Sequence, residues 1–231
     1  MSARSSPYEA AGHLISGLLI LGACEAAHDG RWLINRDWPP SRISLYMTMA
    51  YSIGQVVAAL SRILVEQTFV RKCLRMPQDI LLTSALSRSW RHVLFSAYFQ
   101  PLADADRLRI LQEAARDGVS SSDYEIFDHA CAVVEREETA QRRVDLFRQV
   151  ADLCRNLCLG LLIVAAILIS GMLWHSVSST WGKSDWRKLG YCTLALLEAA
   201  GMLYRYLRFS RRHAVEVLTR FAAADGLFPP A

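Results

Sequence analysis

Two charge-free stretches, Ile43–Leu60 (ISLYMTMAYSIGQVVAAL) and Leu157–Trp174 (LCLGLLIVAAILISGMLW), decide how this chain folds. Each is 18 residues long. As a helix rising 1.5 Å per residue, such a run covers about 27 Å and crosses most of a ~30 Å hydrocarbon core. Each has a weaker apolar neighbour, Ala10–Cys24 before the first and Leu189–Leu207 after the second. The pattern is hairpin, polar middle, hairpin. It predicts an all-α membrane protein in which two transmembrane hairpins flank a helical domain. The expected segments are a first hairpin over 8–69, a middle domain over 70–156, a second hairpin over 157–209 and a basic tail over 210–231.

The chain of 231 residues has room for four membrane helices and one small soluble domain. A net charge of +4 does not by itself indicate nucleic acid. Among the basic residues lysine occurs only at Lys72, Lys183 and Lys188, and all others are arginine. Genomic composition bias explains that, and so does a need for the bidentate fork that reads phosphate and carboxylate. The six cysteines have no zinc-site spacing and are read as reduced. Leu21-Gly22-Ala23-Cys24 has the form of a lipoprotein cleavage box. One basic residue ahead of it, the acid Glu9 and the interrupting His13 argue against a processed signal.

Local signals place the elements. Asp29-Gly30, Asn35 and Pro39-Pro40 mark a turn, with Ser41 as a cap for the second span. Leu102–Arg116 reads as a helix ending at Gly118, with Leu108 and Leu111 on one face, and Ser120 with Asp123 resembles a capping box. Ile126, Phe127, Ala130, Val133 and Val134 recur at helical spacing. No glycine or proline interrupts Thr139–Leu159, so that helix is expected to run on into the third span.

Arginine and tryptophan suggest an orientation. Arg71, Lys72 and Arg75 follow the second span, Arg142, Arg143, Arg148 and Arg155 precede the third, and Arg205, Arg208, Arg211 and Arg212 follow the fourth. The positive-inside rule makes those faces cytoplasmic, with both termini and the middle inside a bacterial inner membrane. Trp32, Trp38, Trp174, Trp181 and Trp186 lie in or beside the two short loops assigned to the outside. Indole favours that interface.

Within the second span, Thr48, Gln55, Ala59, Arg62 and Glu66 recur at intervals of three, four or seven, which puts them on one stripe beside Gly54 and Ala58. Two readings stand. The stripe is a helix–helix seam, with Arg62 and Glu66 paired at i,i+4, or it lines water in a pore. Glu198 lies mid-way along the fourth span, where a charge costs at least ~2.5 kcal/mol. It needs a proton, water or a partner, and His13, Arg62 and Arg205 are the candidates. In the middle domain Arg88, Arg91, Arg107, Arg109, Arg142 and Arg143 form either a phosphate-binding surface or a solvated face.

Catalytic signatures are sparse, and the chain is not expected to be an enzyme or to carry a cofactor or metal. It has no phosphate-cradling glycine loop, zinc-protease helix or nucleophile elbow. Arg208 and His213 resemble the short motif of HEPN-type ribonucleases, but Phe209 follows where that motif has a polar residue.

The layout also resembles small bacterial membrane effectors of anti-phage defence systems, and is most similar to the membrane effector of the Hailong system. The residues behind the resemblance are the apolar runs above, Ala50-Tyr51-Ser52-Ile53-Gly54-Gln55, and the tail Arg205-Tyr206-Leu207-Arg208-Phe209. It spans the whole chain as architecture and carries over no functional residue. It implies a homo-oligomeric channel, a tetramer, held closed by a nucleotide or DNA oligomer from a partner nucleotidyltransferase. Opening would depolarise the infected cell. The alternatives are a membrane-anchored helical binding or scaffold protein and, behind it, a membrane-tethered HEPN-like ribonuclease using Arg208 and His213.

Overall fold

A computed structural model of the chain describes residues 7–27, 39–83, 95–119, 122–178 and 183–223. Its elements are α1 (Pro7–Ala27), α2 (Pro40–Ser61), α3 (Pro77–Leu82), α4 (Asp104–Arg116), α5 (Asp123–Val134), α6 (Glu138–Ser178) and α7 (Lys183–Ala223). Between α2 and α3 the chain continues as a wider π-helix, Arg62–Leu74. No strand occurs among the described residues.

Three helical stretches are long and apolar enough to cross a membrane, Tyr8–Ala27, Pro40–Leu82 and Gln141–Trp174. The expected fourth segment, Leu189–Leu207, is helical within α7 but is not among them. Glu198 and Arg205 dilute its apolar content.

The helix ends follow local chemistry. Pro40 opens α2, where its missing N–H would be unpaired anyway, and Pro39 rather than Ser41 is the capping position. The cap of α5 is Ser122, whose hydroxyl accepts the Glu125 N–H, so the S-x-x-E box lies two residues beyond the Ser120–Asp123 pair. Gly118 takes φ 70 after α4, the left-handed turn that ends a helix. Arg75 takes φ 69 just after the π-helix, and the Tyr98 hydroxyl donates to its carbonyl at 2.8 Å. The unbroken stretch from Thr139 onward does run into one 41-residue helix, α6.

The chain divides into two compact units. The first is Met1–Gln67 with Asp152–Arg205. Here α1 and α2 run antiparallel, and their backbones nearly touch. A Cβ on Gly17 would overlap the Ala50 carbonyl, and one on Gly54 would overlap that of His13. Small residues allow this approach, the usual way membrane helices maximise packing when lipid supplies no hydrophobic drive. Against α6, α1 runs parallel: Ser16 meets Gly160 and Ala27 meets Gly171, where added Cβ atoms would sit 3.2 and 3.1 Å from the nearest side chain. Helix α7 returns antiparallel to α6, with Cys192 Sγ 3.8 Å from the Ala165 carbonyl.

The second unit is Thr68–Ala151 with Tyr206–Ala231. Its core joins Leu81 and Leu82 of α3, Ile110 and Ala114 of α4, Ile126, Ala130 and Val134 of α5, Val144 of α6, and Ala214, Val217, Leu218 and Phe221 of α7. The α4 face differs from the expected one: Leu108 is 52 % exposed, and Ile110 and Ala114 point inward with Leu111 at the edge. Ile110 and Ala114 join the buried cluster shared with α3, α5, α6 and α7, a tertiary choice that spacing alone leaves open. On α5 the expected stripe is the one that packs.

Candidate functional site

Helix α2 has two faces with different fates. Ala50, Gly54, Val57 and Ser61 are buried. Thr48, Gln55, Ala59 and Arg62 are exposed. The seam is therefore the small-residue row, and the polar stripe lies outside it. Thr48 and Ser52 satisfy their hydroxyls on their own helix, donating to the carbonyls of Ser44 at 2.8 Å and Thr48 at 2.9 Å.

Glu66 leaves that stripe. It pairs with Arg155 of α6 instead of Arg62. The i→i+5 bonding that starts at Arg62 moves each later residue round the axis relative to α-helical spacing, so the i,i+4 expectation fails there.

Around Arg155 sits a polar cluster that sequence reasoning did not single out. The guanidinium pairs with Glu66 and, at 2.9 Å, with Asp152. Its Nε donates to Ser61 Oγ at 3.2 Å, and Ser61 Oγ lies 2.6 Å from Asn156 Oδ1. Ser61, Arg155 and Asn156 are all buried. A buried charge is tolerable only when paired and hydrogen-bonded, and this one is held by three side chains, Glu66, Asp152 and Ser61. The signal was present: Ser61 and Asn156 are the polar residues that immediately bound the two charge-free runs. The cluster ties the widening end of α2 to α6.

At the other end of the unit, Lys188 is buried and its Nζ donates to the Ala27 carbonyl at 3.2 Å. Ala27 is the last residue of α1, so the ammonium satisfies a terminal carbonyl at the negative end of the helix dipole.

Glu198 is exposed on α7, and among the described residues no cation pairs with it. Of its candidate partners, His13 is buried with its ring 5.7 Å from that of Tyr51, while Arg62 and Arg205 are exposed. Contacts within the first unit give heights. Gly54 lies beside His13, Ser16 beside Gly160, and Cys192 beside Ala165. Stepping along these helices puts Gln55 and Glu198 within about one turn of the same height, ~5 Å. The nearest other charges to that height among the described residues are Glu9 of α1 and the buried Arg155 of α6, which is paired with Glu66 and Asp152. Glu25, Arg42 and Lys188 sit towards one end and Arg62 and Arg205 towards the other.

The arginines of the second unit are only partly gathered. Arg88 and Arg91 lie outside the described residues. On α4, Arg107 pairs with Asp104 at 3.7 Å and Arg109 is exposed. On α6, Arg142 and Arg143 are exposed, and Arg143 lies 3.6 Å from Glu216 of α7. Arg220 lies 3.4 Å from the same carboxylate and 3.9 Å from Glu137. Arg211 donates to the Gln100 carbonyl at 2.9 Å, and partial burial lowers its pKa. No group of three metal-binding side chains occurs among the described residues.

Arg208 and His213 are five residues apart on one helix, which turns their side chains about 140° from each other. Arg208 is exposed, whereas the His213 ring packs edge-on to Phe127 at 6.1 Å. Burial, reinforced by the Arg148 charge, pushes the His213 pKa down to about 4. The unfolded chain then takes up this proton first, near pH 6.5. Stability from the neutral ring is fully present above that pH and is lost as pH falls towards 4. We expect full-length protein in detergent to lose on the order of 3 kcal/mol from this group across the window. Thermal unfolding at pH 7.5 and 4.5 checks it, and His213→Phe should flatten the dependence. An unchanged slope in that variant removes the assignment.

Together the fold and these surfaces define an all-helical, membrane-associated protein with three membrane-length apolar helices. No family model, curated protein or solved structure matches the chain.

Proposed function

We propose that this protein is an oligomeric ion-conducting pore of the bacterial inner membrane. The observation that carries the reading is that Thr48, Gln55 and Glu198 face away from their own chain's helices. A charged side chain in hydrocarbon is costly by at least ~2.5 kcal/mol, so such residues face a bundle interior or water. One copy leaves Glu198 uncovered, and several copies around an axis would enclose it with water. Gly190 and Gly201 flank it on α7 with open space beside them, where a neighbouring helix can approach closely. Glu198 also accounts for the low apolarity of α7, which we assign as the fourth span, closing the second hairpin.

The positive-inside rule places both termini and the second unit in the cytoplasm. Trp174 and Trp186, 82 % and 65 % exposed, suit the outer interface. On this reading Arg107, Arg109, Arg142 and Arg143, with Arg88 and Arg91, take a phosphate-bearing nucleotide or DNA oligomer that controls opening. The likeness to defence effectors extends this to a nucleotidyltransferase partner, a tetrameric assembly and depolarisation of infected cells.

Purified full-length protein added to planar bilayers without nucleotide should conduct, and short single-stranded DNA should reduce the current. Absence of current under either condition rejects the pore. It would favour the second reading, a membrane-anchored binding protein, which draws on the self-contained core of the second unit.

A further inference from the structure

We infer that the pore is selective for cations and that Glu198, repeated once per copy, forms the selecting ring. The inference rests on the pore reading above and adds the class of ion carried. Its grounds are two surfaces of the first unit that are independent in sequence yet meet at one height. On α7, Glu198 lies midway along the apolar segment and is exposed, with no cation paired to it among the described residues. On α2, Gln55 is exposed within about one turn of that height, and Thr48 and Ser52 continue the polar face towards the Pro40 end.

Helices α2 and α7 run in the same direction, since each is antiparallel to a helix of the parallel pair α1 and α6. A second copy rotated about an axis along the helices therefore meets α7 of the first with its polar residues at matching height. The occupant of this exposed face is that second copy. Glutamine and hydroxyl groups can hydrogen-bond a carboxylate without neutralising it, so every copy leaves one negative charge on the water path. Of the basic residues of this unit, Arg42 and Lys188 lie towards one end and Arg62 and Arg205 about two turns away towards the other, while Arg155, about one turn from that level, is buried with its charge paired to Glu66 and Asp152. A ring of carboxylates with no unpaired cation at its own level concentrates cations and repels anions, the arrangement by which acidic rings select in channels.

The test is the potassium-to-chloride permeability ratio of full-length protein in planar bilayers under a KCl gradient. Glu198→Gln should lower the ratio by about tenfold, the scale on which a charged lining enriches its counter-ion. Glu198→Lys should turn the preference towards chloride, and Glu198→Asp should keep it for potassium. Unchanged thermal unfolding of Glu198→Gln shows that the fold is intact. Wild-type current with an unchanged ratio in Glu198→Gln overturns the ring and leaves the pore standing. No wild-type current overturns both.

Discussion

Replacing Gly54 by alanine is expected to destabilise the full-length protein by at least ~3 kcal/mol, a backbone version of core overpacking. The added methyl would overlap the main-chain carbonyl of His13. A side chain in the way could change rotamer, but a carbonyl inside α1 moves only if the helix moves. The reciprocal change Gly17→Ala meets the Ala50 carbonyl and should cost a similar amount. Gly22→Ala is the control. It lies on α1 with nothing near the new Cβ, so alanine's better helix propensity makes it neutral or stabilising by up to ~1 kcal/mol. Thermal unfolding of the three variants in one detergent decides the matter. If Gly54→Ala melts with the wild type, the close α1–α2 approach is wrong.

Truncating Arg155 to alanine should cost about 3–5 kcal/mol, the range for breaking a buried ion pair and leaving a carboxylate behind. The partners contribute unequally. Glu66 is 26 % exposed and Asp152 is 42 % exposed, so water screens the second pair more strongly. Asp152→Asn should therefore cost under ~1 kcal/mol, as exposed pairs do. Glu66→Gln should fall between that and the loss of Arg155. Removing both charges with Arg155→Met and Glu66→Leu should recover much of the loss, because the stranded charge is then gone. A double change as destabilising as Arg155→Ala alone would mean that the cluster is not an ion pair in a dry setting.

Legibility from sequence followed the range of the interaction. The apolar runs and the unbroken α6 were readable, because each depends on residues within a few turns, whereas the cap of α2 was read two residues late, at Ser41 instead of Pro39. Ser61 and Asn156 were visible as run boundaries, but nothing local said that they meet. Their contact joins residues 95 apart. The pairing of Glu66 was misread for a local reason, since α-helical spacing was assumed where the backbone widens at Arg62. Leu108 and Ile110 show the limit of periodicity. A helix with apolar residues on two adjacent faces has two plausible inward sides, and only the rest of the second unit's core chooses between them.

The amino-acid sequence alone determined that this protein is helical and that several helices are apolar enough for a membrane. Hydrophobic run length and backbone propensity are local quantities, and they suffice for that. Tertiary structure decided which face of each helix is spent. On α2 the small residues Gly54 and Ala50 allow backbone contact with α1, so they take the seam and turn Thr48, Gln55 and Arg62 outward. Close packing between glycine-bearing helices, a property of pairs of surfaces, leaves the polar stripe and Glu198 uncovered on a single copy.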